Sequence, residues 1–302
     1  MDDKNRKPYQ IHLINSDENI LEVFEQSKKY LESNKEVSST IEEILWIFRA
    51  LEDLLPQPLE KVWSGHMFPL VEASSDLENS IQLCKLGFYK SAMSSLRSVL
   101  ELGILSVYWD IDDNSQINIQ NWFRSTEKTP VTKDILTKLK INQNIYTFDE
   151  RHKLFDDVKD LFQQLSNFTH TKGHLHSNQD LSMANINRFN EQALLKWLEL
   201  MIKVVKFIVI LHILKYPVAL QHTPIEQKFG LNGPVGTFLQ PHDVQRIRNF
   251  LDLAYLKTLQ EISDNDPDAV SLANSINELP DISEEEFNKQ IEEFEKFHSN
   301  TK

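Results

Sequence analysis

The stretch NRFNEQALLKWLELMIKVVKFIVILHILKY, residues 187–216, decides the fold class of this 302-residue chain. It is apolar around most of its circumference and stops directly before Pro217. A helix of that composition is either a membrane span or the central helix of a packed bundle. Lys196, Glu199, Lys203 and Lys206 recur at intervals of three, four and three, which puts four charges on one narrow stripe. The longest uncharged run, Phe207 to Leu214, is far short of the about 20 residues that a span needs. The segment is therefore expected as a central bundle helix with one wet stripe and no membrane role.

The sequence outside this segment agrees with an all-α chain. Only 7 glycines occur, too few for the tight turns of a sheet protein. Helices are expected from Ser16 to about Asn34, from the capping box Ser39–Glu42 to before Pro56, and over 59–86 with Pro69 kinking or dividing the stretch. Further helices are expected over 88–110, from Thr129-Pro130 to about Lys140, and over 148–168 behind a capping box at Thr147–Glu150. Beyond residue 216, Thr223–Glu226 reads as the cap of a short turn, Gly233–Gly236 as a turn, and helices follow over 241–263, 268–278 and 284–298. The fold is an antiparallel helical bundle, with N-terminal helices over 1–58 packing on a core over 59–218, and C-terminal helices over 219–302.

Charge narrows the function classes. The chain carries 45 acidic against 32 basic residues, net −13, which opposes broad attachment to nucleic acid or anionic membrane. Residues 261–302 hold 12 acidic and 3 basic residues, net −9, leaving 33 against 29 in the body. Any nucleic-acid site must then be local, and the acidic tail competes for it. The single cysteine, Cys84, excludes an internal disulfide framework and fits a reducing compartment. Lys4, Arg6 and Lys7 are followed by no apolar stretch, so no secretion signal is expected and the reading is cytoplasmic. Dinucleotide, P-loop and zincin motifs do not occur, and no cofactor is implied.

Two segments carry candidate chemistry. In LGFYKSAMSSLRSVLE, residues 86–101, Arg97 and Glu101 are helix-surface neighbours flanked by Met93, Leu100, Ile104 and Leu105. That context reads either as a buried ion pair fixing helix register or as a pair that holds an anionic or hydrogen-bonding ligand. In LSNFTHTKGHLH, residues 165–176, three imidazoles follow a helix end. His170 and His174 would share a metal only if the helix continued through Gly173, and His174 and His176 would share one side of an extended segment near Asp180. No second ligand cluster appears, so no metal is expected. His170 reads as a proton carrier or as an imidazole drawn to a helix C-terminus.

The pattern Leu-Arg-Ser-hydrophobic-Leu-Glu on one helix, with Leu-Ser-x-x-x-His at the end of a later one, resembles bacterial helical proteins related to the HEPN superfamily and to abortive-infection proteins. The resemblance covers roughly residues 80–215. It implies a bundle of four or five helices, frequent homodimers and, in active members, metal-independent RNA cleavage by an Arg placed four to six residues before a His. Here His170 matches the His, but no Arg lies between residues 152 and 187, and Arg97 would supply the guanidinium from a facing helix.

From these readings come two expectations. The first is a HEPN-like protein of a bacterial defence or toxin-type system that takes RNA or a nucleotide. Arg97, Glu101 and His170 would carry the chemistry, and Ser166, Asn167, Lys172 and His174 would bind ligand. The second is an inert helical adaptor that meets a partner protein through its C-terminal region. There Phe287, Ile291, Phe294 and Phe297 fall roughly along one side of an acidic helix that also suits folding back on its own bundle.

Overall fold

The computed structural model describes residues 16–54, 65–112, 117–178, 188–233, 236 and 238–299. Among the described residues there is no strand, and the chain is all-α. The helices are α1 (Asp17–Ser33), α2 (Lys35–Ala50), α3 (Phe68–Lys85), α4 (Tyr89–Asp112), α5 (Ile117–Phe123), α6 (Thr132–Leu139) and α7 (Gln143–His152). They continue as α8 (Leu154–Thr169), α9 (Glu191–Lys215), α10 (Ile225–Phe229), α11 (Pro241–Phe250), α12 (Leu253–Asn265), α13 (Pro267–Asn277) and α14 (Glu284–Ser299).

Helix α9 is the deciding stretch, and it runs through the core. Leu200, Met201, Val204, Val205, Ile208 and Leu211 are sealed from solvent, and α2, α4, α7, α8 and α12 pack around the helix. Its wet stripe is satisfied by ion pairs. Lys196 and Lys203 both meet Glu199, at 2.8 and 2.6 Å, and Lys206 meets Asp252 at 2.9 Å. Among the described residues no helix is long and apolar enough to cross a membrane.

Helix α4 lies against α9 because Gly103 lets the backbones approach. A Cβ there would sit 2.5 Å from Ile208 Cδ1 and 2.8 Å from its Cγ1, and Ile208 is β-branched and fully buried. Gly103→Ala is expected to cost about 1–3 kcal/mol by overpacking, of which helix propensity offsets at most about 1 kcal/mol. Urea unfolding midpoints check this, and an unchanged midpoint contradicts the close approach.

The turn from α3 into α4 uses the other glycine that matters. Gly87 has φ +81°, its N–H donates to the Cys84 carbonyl at 3.0 Å, and the Phe88 N–H donates to Leu83 at 2.8 Å. This pair of bonds closes α3 with a left-handed residue and reverses the chain, so α3 and α4 form a helical hairpin. Buried Trp197 on α9 then ties the hairpin to the core, donating from Nε1 to Ser80 Oγ at 2.9 Å while Ser80 donates to the Ala92 carbonyl at 2.7 Å.

Several expected boundaries move, each for a visible reason. Ser39 and Thr40 do not open a helix. α2 begins at Lys35, and both hydroxyls donate back to the Glu36 carbonyl from inside it. The stretch is divided just before Pro69: residues 65–66 form a separate turn, and α3 starts afresh at Phe68 with Pro69 in its first turn, where the missing N–H costs nothing. Residues 59–64 of the stretch expected there lie outside the described residues. Pro130 precedes the N-cap of α6, Val131, and does not sit in its first turn.

The helix expected over 148–168 is two helices, because Lys153 takes a left-handed conformation at φ 55°. The N-cap of α7 is Asn142, whose side chain accepts the Asn144 and Ile145 N–H groups, so Thr147–Glu150 is helix interior. Thr223 does not cap α10, and the helix expected over 241–263 breaks at Leu251 and Asp252. Within Gly233–Gly236, Pro234 and Val235 lie outside the described residues. Ser283 does cap α14, accepting the Glu286 N–H at 3.2 Å. Helix α5, expected as loop, is announced by Ile119, Trp122 and Phe123 at helical spacing; Ile119 is fully buried.

The start of α14 is tied to residues 228–231, while Phe294 and Phe297 further along it keep 56% and 70% of their surface exposed. Gln290 of α14 accepts the Leu231 N–H at 2.7 Å and donates to the Phe229 carbonyl at 3.1 Å, while Lys228 pairs with Asp281 at 2.7 Å.

Candidate functional site

Helix α4 presents Lys90, Ser94, Arg97 and Glu101 at intervals of four, three and four, which makes them one stripe. The stripe faces the end of α8. Lys90 Nζ donates to Thr171 Oγ1, the Ser94 and Thr169 hydroxyls lie 3.4 Å apart, and Arg97 Nη1 lies 3.2 Å from His170 Nε2. His170 is the C-cap of α8, and its N–H donates to the Ser166 carbonyl at 2.9 Å. Two cations, Arg97 and Lys90, thus stand at the negative end of the α8 dipole.

The Arg97–Glu101 pair is real, at 2.9 Å from Nε to Oε1, but it is not sealed. The two side chains keep 27% and 44% of their surface exposed, so burial among the flanking apolar residues does not occur. A guanidinium only donates, so in the contact with His170 the Nε2 atom accepts and the ring proton is assigned to Nδ1. The geometry therefore holds a ring nitrogen of His170 against a fixed positive charge.

Arg97 and Ser166 also line a groove of about 820 Å³ that α6 and the α7–α8 turn complete. Its lining holds five cations, Arg97, Lys133, Lys140, Lys153 and Lys159, against three carboxylates, a local surplus of positive charge on a chain of net −13. Asp149 builds the turn. Its buried carboxylate accepts the Phe155 N–H at 2.8 Å and pairs with Lys140 at 2.6 Å, which holds the Lys140 ammonium above its usual range. Lys159 pairs with Asp156 at 2.9 Å, and Lys133 has no ion pair among the described residues. These lysines come from separate elements, and only the fold collects them.

The remaining expected residues are divided. Asn167 accepts from Gln163 Nε2 at 2.8 Å on the α8 surface. Lys172 and His174 are exposed in the turn beyond α8 and do not line the groove. His174 and His176 sit in a short 3-10 turn and not in an extended strand, because Gly173 at φ 82° redirects the chain. His176 packs against the Phe168 ring at 4.8 Å and bonds the Lys172 carbonyl through Nδ1. Asp180 lies outside the described residues. Among the described residues no group of three or more His, Cys, Asp or Glu is placed to hold a metal ion. Comparison with protein-family models, with curated proteins and with solved structures finds no match for this chain.

Proposed function

We propose that the chain is a helical RNA-binding protein of the bacterial defence or toxin type, with Arg97 and His170 acting together on an RNA phosphate. The observation that carries this reading is the 3.2 Å contact between Arg97 and His170 at the edge of a groove with surplus lysine. A phosphodiester entering the groove draws Arg97 toward its oxygens, since a guanidinium pairs with phosphate through two donors. That movement frees His170 Nε2, which then accepts the proton of the adjacent ribose 2′-hydroxyl as its oxygen attacks phosphorus. The 5′-oxygen leaves and takes a proton from water or from the imidazolium, while Arg97 stabilises the charge that builds on the phosphate. Glu101 keeps Arg97 oriented between turnovers, and Ser166 offers a hydroxyl on the groove wall.

The test is an assay of the purified chain on mixed RNAs beside Arg97→Ala and His170→Ala. Loss of at least about 100-fold in cleavage is expected for His170→Ala, with weaker RNA binding for Arg97→Ala. RNA bound equally by all three proteins and cut by none makes the bundle a binding adaptor whose groove lies elsewhere. Equal cleavage by all three removes the site.

A further inference from the structure

The Arg97–Glu101 ion pair has a second face. On the Glu101 side a separate cavity of about 340 Å³ opens between α4, α5 and α6, within the about 300–1,000 Å³ range of small-ligand sites. It adjoins the lysine groove, because Thr132 and Phe162 line both. Its walls are the rings of Trp122 and Phe162 with Leu105 and Ile135, and Ser98 and Glu101 are its polar groups on α4. Trp122 is fixed in place. Its Nε1 donates to Thr129 Oγ1 at 2.9 Å, and its ring packs on Trp109 at 6.3 Å and Phe68 at 6.0 Å.

We propose that this cavity takes a guanine base, whose own phosphate or a neighbouring one lies in the groove beside Arg97. The inference rests on the phosphate reading of that groove. The choice of base follows from Glu101. Arg97 Nε holds its Oε1, and Oε2 accepts no hydrogen bond among the described residues. A carboxylate offers two parallel acceptors. Guanine alone among the four bases presents two adjacent donors, N1–H and N2–H, on one edge. Adenine and cytosine set a ring-nitrogen acceptor beside their amine, and uracil flanks its single N–H with two carbonyls. Each of those edges places a lone pair against the carboxylate. The aromatic walls supply stacking for the base plane, a contribution that every base shares and that therefore gives affinity without selectivity.

The experiment titrates the full chain with GMP, IMP, AMP, CMP and UMP, following tryptophan fluorescence. GMP is expected to bind at least about 10-fold more tightly than IMP, which lacks only the N2 amine, and than the other three. Glu101→Gln should bring GMP and IMP within about 3-fold of each other, because an amide replaces one acceptor with a donor. Trp122→Leu keeps the Arg97–Glu101 pair, so in calorimetric titrations, which do not need the missing ring as reporter, it should weaken all the nucleotides together without changing their order.

Equal affinity for the five nucleotides, no binding of any, or a GMP preference that survives Glu101→Gln overturns the proposal. RNA binding that still depends on Arg97 in any of those cases leaves the phosphate reading standing. Guanine selectivity that persists while Arg97→Ala leaves RNA binding unchanged sinks the phosphate reading and keeps the base pocket. A final arm separates the sources of the base. Single-stranded RNA 8-mers with one G in a U context, compared with the same strands carrying inosine, should show the preference seen with GMP if RNA supplies it. Selectivity confined to the mononucleotides assigns the pocket to a free guanine nucleotide.

Discussion

Trp197→Ala is expected to lower the stability of the fold by about 3–5 kcal/mol. The side chain is 1% exposed and sits where α9 meets the α3–α4 hairpin. Its removal leaves a large void, and the surrounding residues cannot collapse into it freely. Ser80, Cys84, Tyr89, Ala92 and Met93 of the hairpin are themselves sealed in the core. The loss is compounded because Ser80 Oγ then keeps its bond to the Ala92 carbonyl but has no donor to its own lone pairs. Trp197→Phe fills most of the volume without restoring the hydrogen bond, so it should fall between the two. Urea denaturation of the three proteins measures the series, and a loss below about 1 kcal/mol for the alanine variant would show that the hairpin is not anchored there.

Acid is expected to remove a further about 3 kcal/mol through a single buried imidazole. His212 is enclosed on α9, and burial pushes its pKa down to about 4. Its Nδ1 donates to the Ile208 carbonyl at 2.8 Å, and its Nε2 lies 3.1 Å from the Ser106 hydroxyl, which itself donates to the Gly103 carbonyl at 2.8 Å. The Asp110 carboxylate one turn further along α4 favours the charged ring, but less than burial opposes it. In the unfolded chain the same imidazole titrates at its ordinary value near 6.5. Between pH about 6.5 and about 4 the unfolded chain therefore binds a proton that the folded chain refuses. Stability falls as pH drops through that window and is unaffected by this group above it. His212→Gln keeps a donor and an acceptor while removing the titration. The difference in unfolding free energy between wild type and variant should shrink as pH goes from 7 to 4, and a constant difference would falsify the assignment.

How much of this was legible in the sequence differs between fold and site. The central helix was legible because its charge stripe repeats at helical spacing while the rest of its surface is apolar, and both properties are local. Capping boxes were less reliable. Ser39 and Thr147 match the spacing of a box, yet Ser and Thr inside a helix can bond the preceding turn just as well, and Asn34 and Asn142 already marked the starts. The α7–α8 break was invisible because Lys153 adopts a left-handed conformation, which no lysine prefers; the buried Asp149 that holds the turn acts from four residues away. At the site, Arg97, Glu101 and His170 stood out as polar residues in helical context. The lysines around them did not, since a global charge of −13 hides a surplus gathered from α6, the turn and α8. Trp122 was missed with α5, whose seven residues looked like polar loop.

The rungs between α4 and the end of α8 also bear on synthesis. Arg97 and His170 are 73 residues apart, and at about 5–20 residues per second the ribosome delivers the second about 4–15 s after the first. Throughout that interval Arg97 has Glu101 for a partner and no imidazole. Whatever the pair does to a ligand, a nascent chain cannot do it. Assembly waits until α8 has emerged and docked on the α3–α4 hairpin, so the bundle's own folding order is what delays the pair's formation near the translating ribosome.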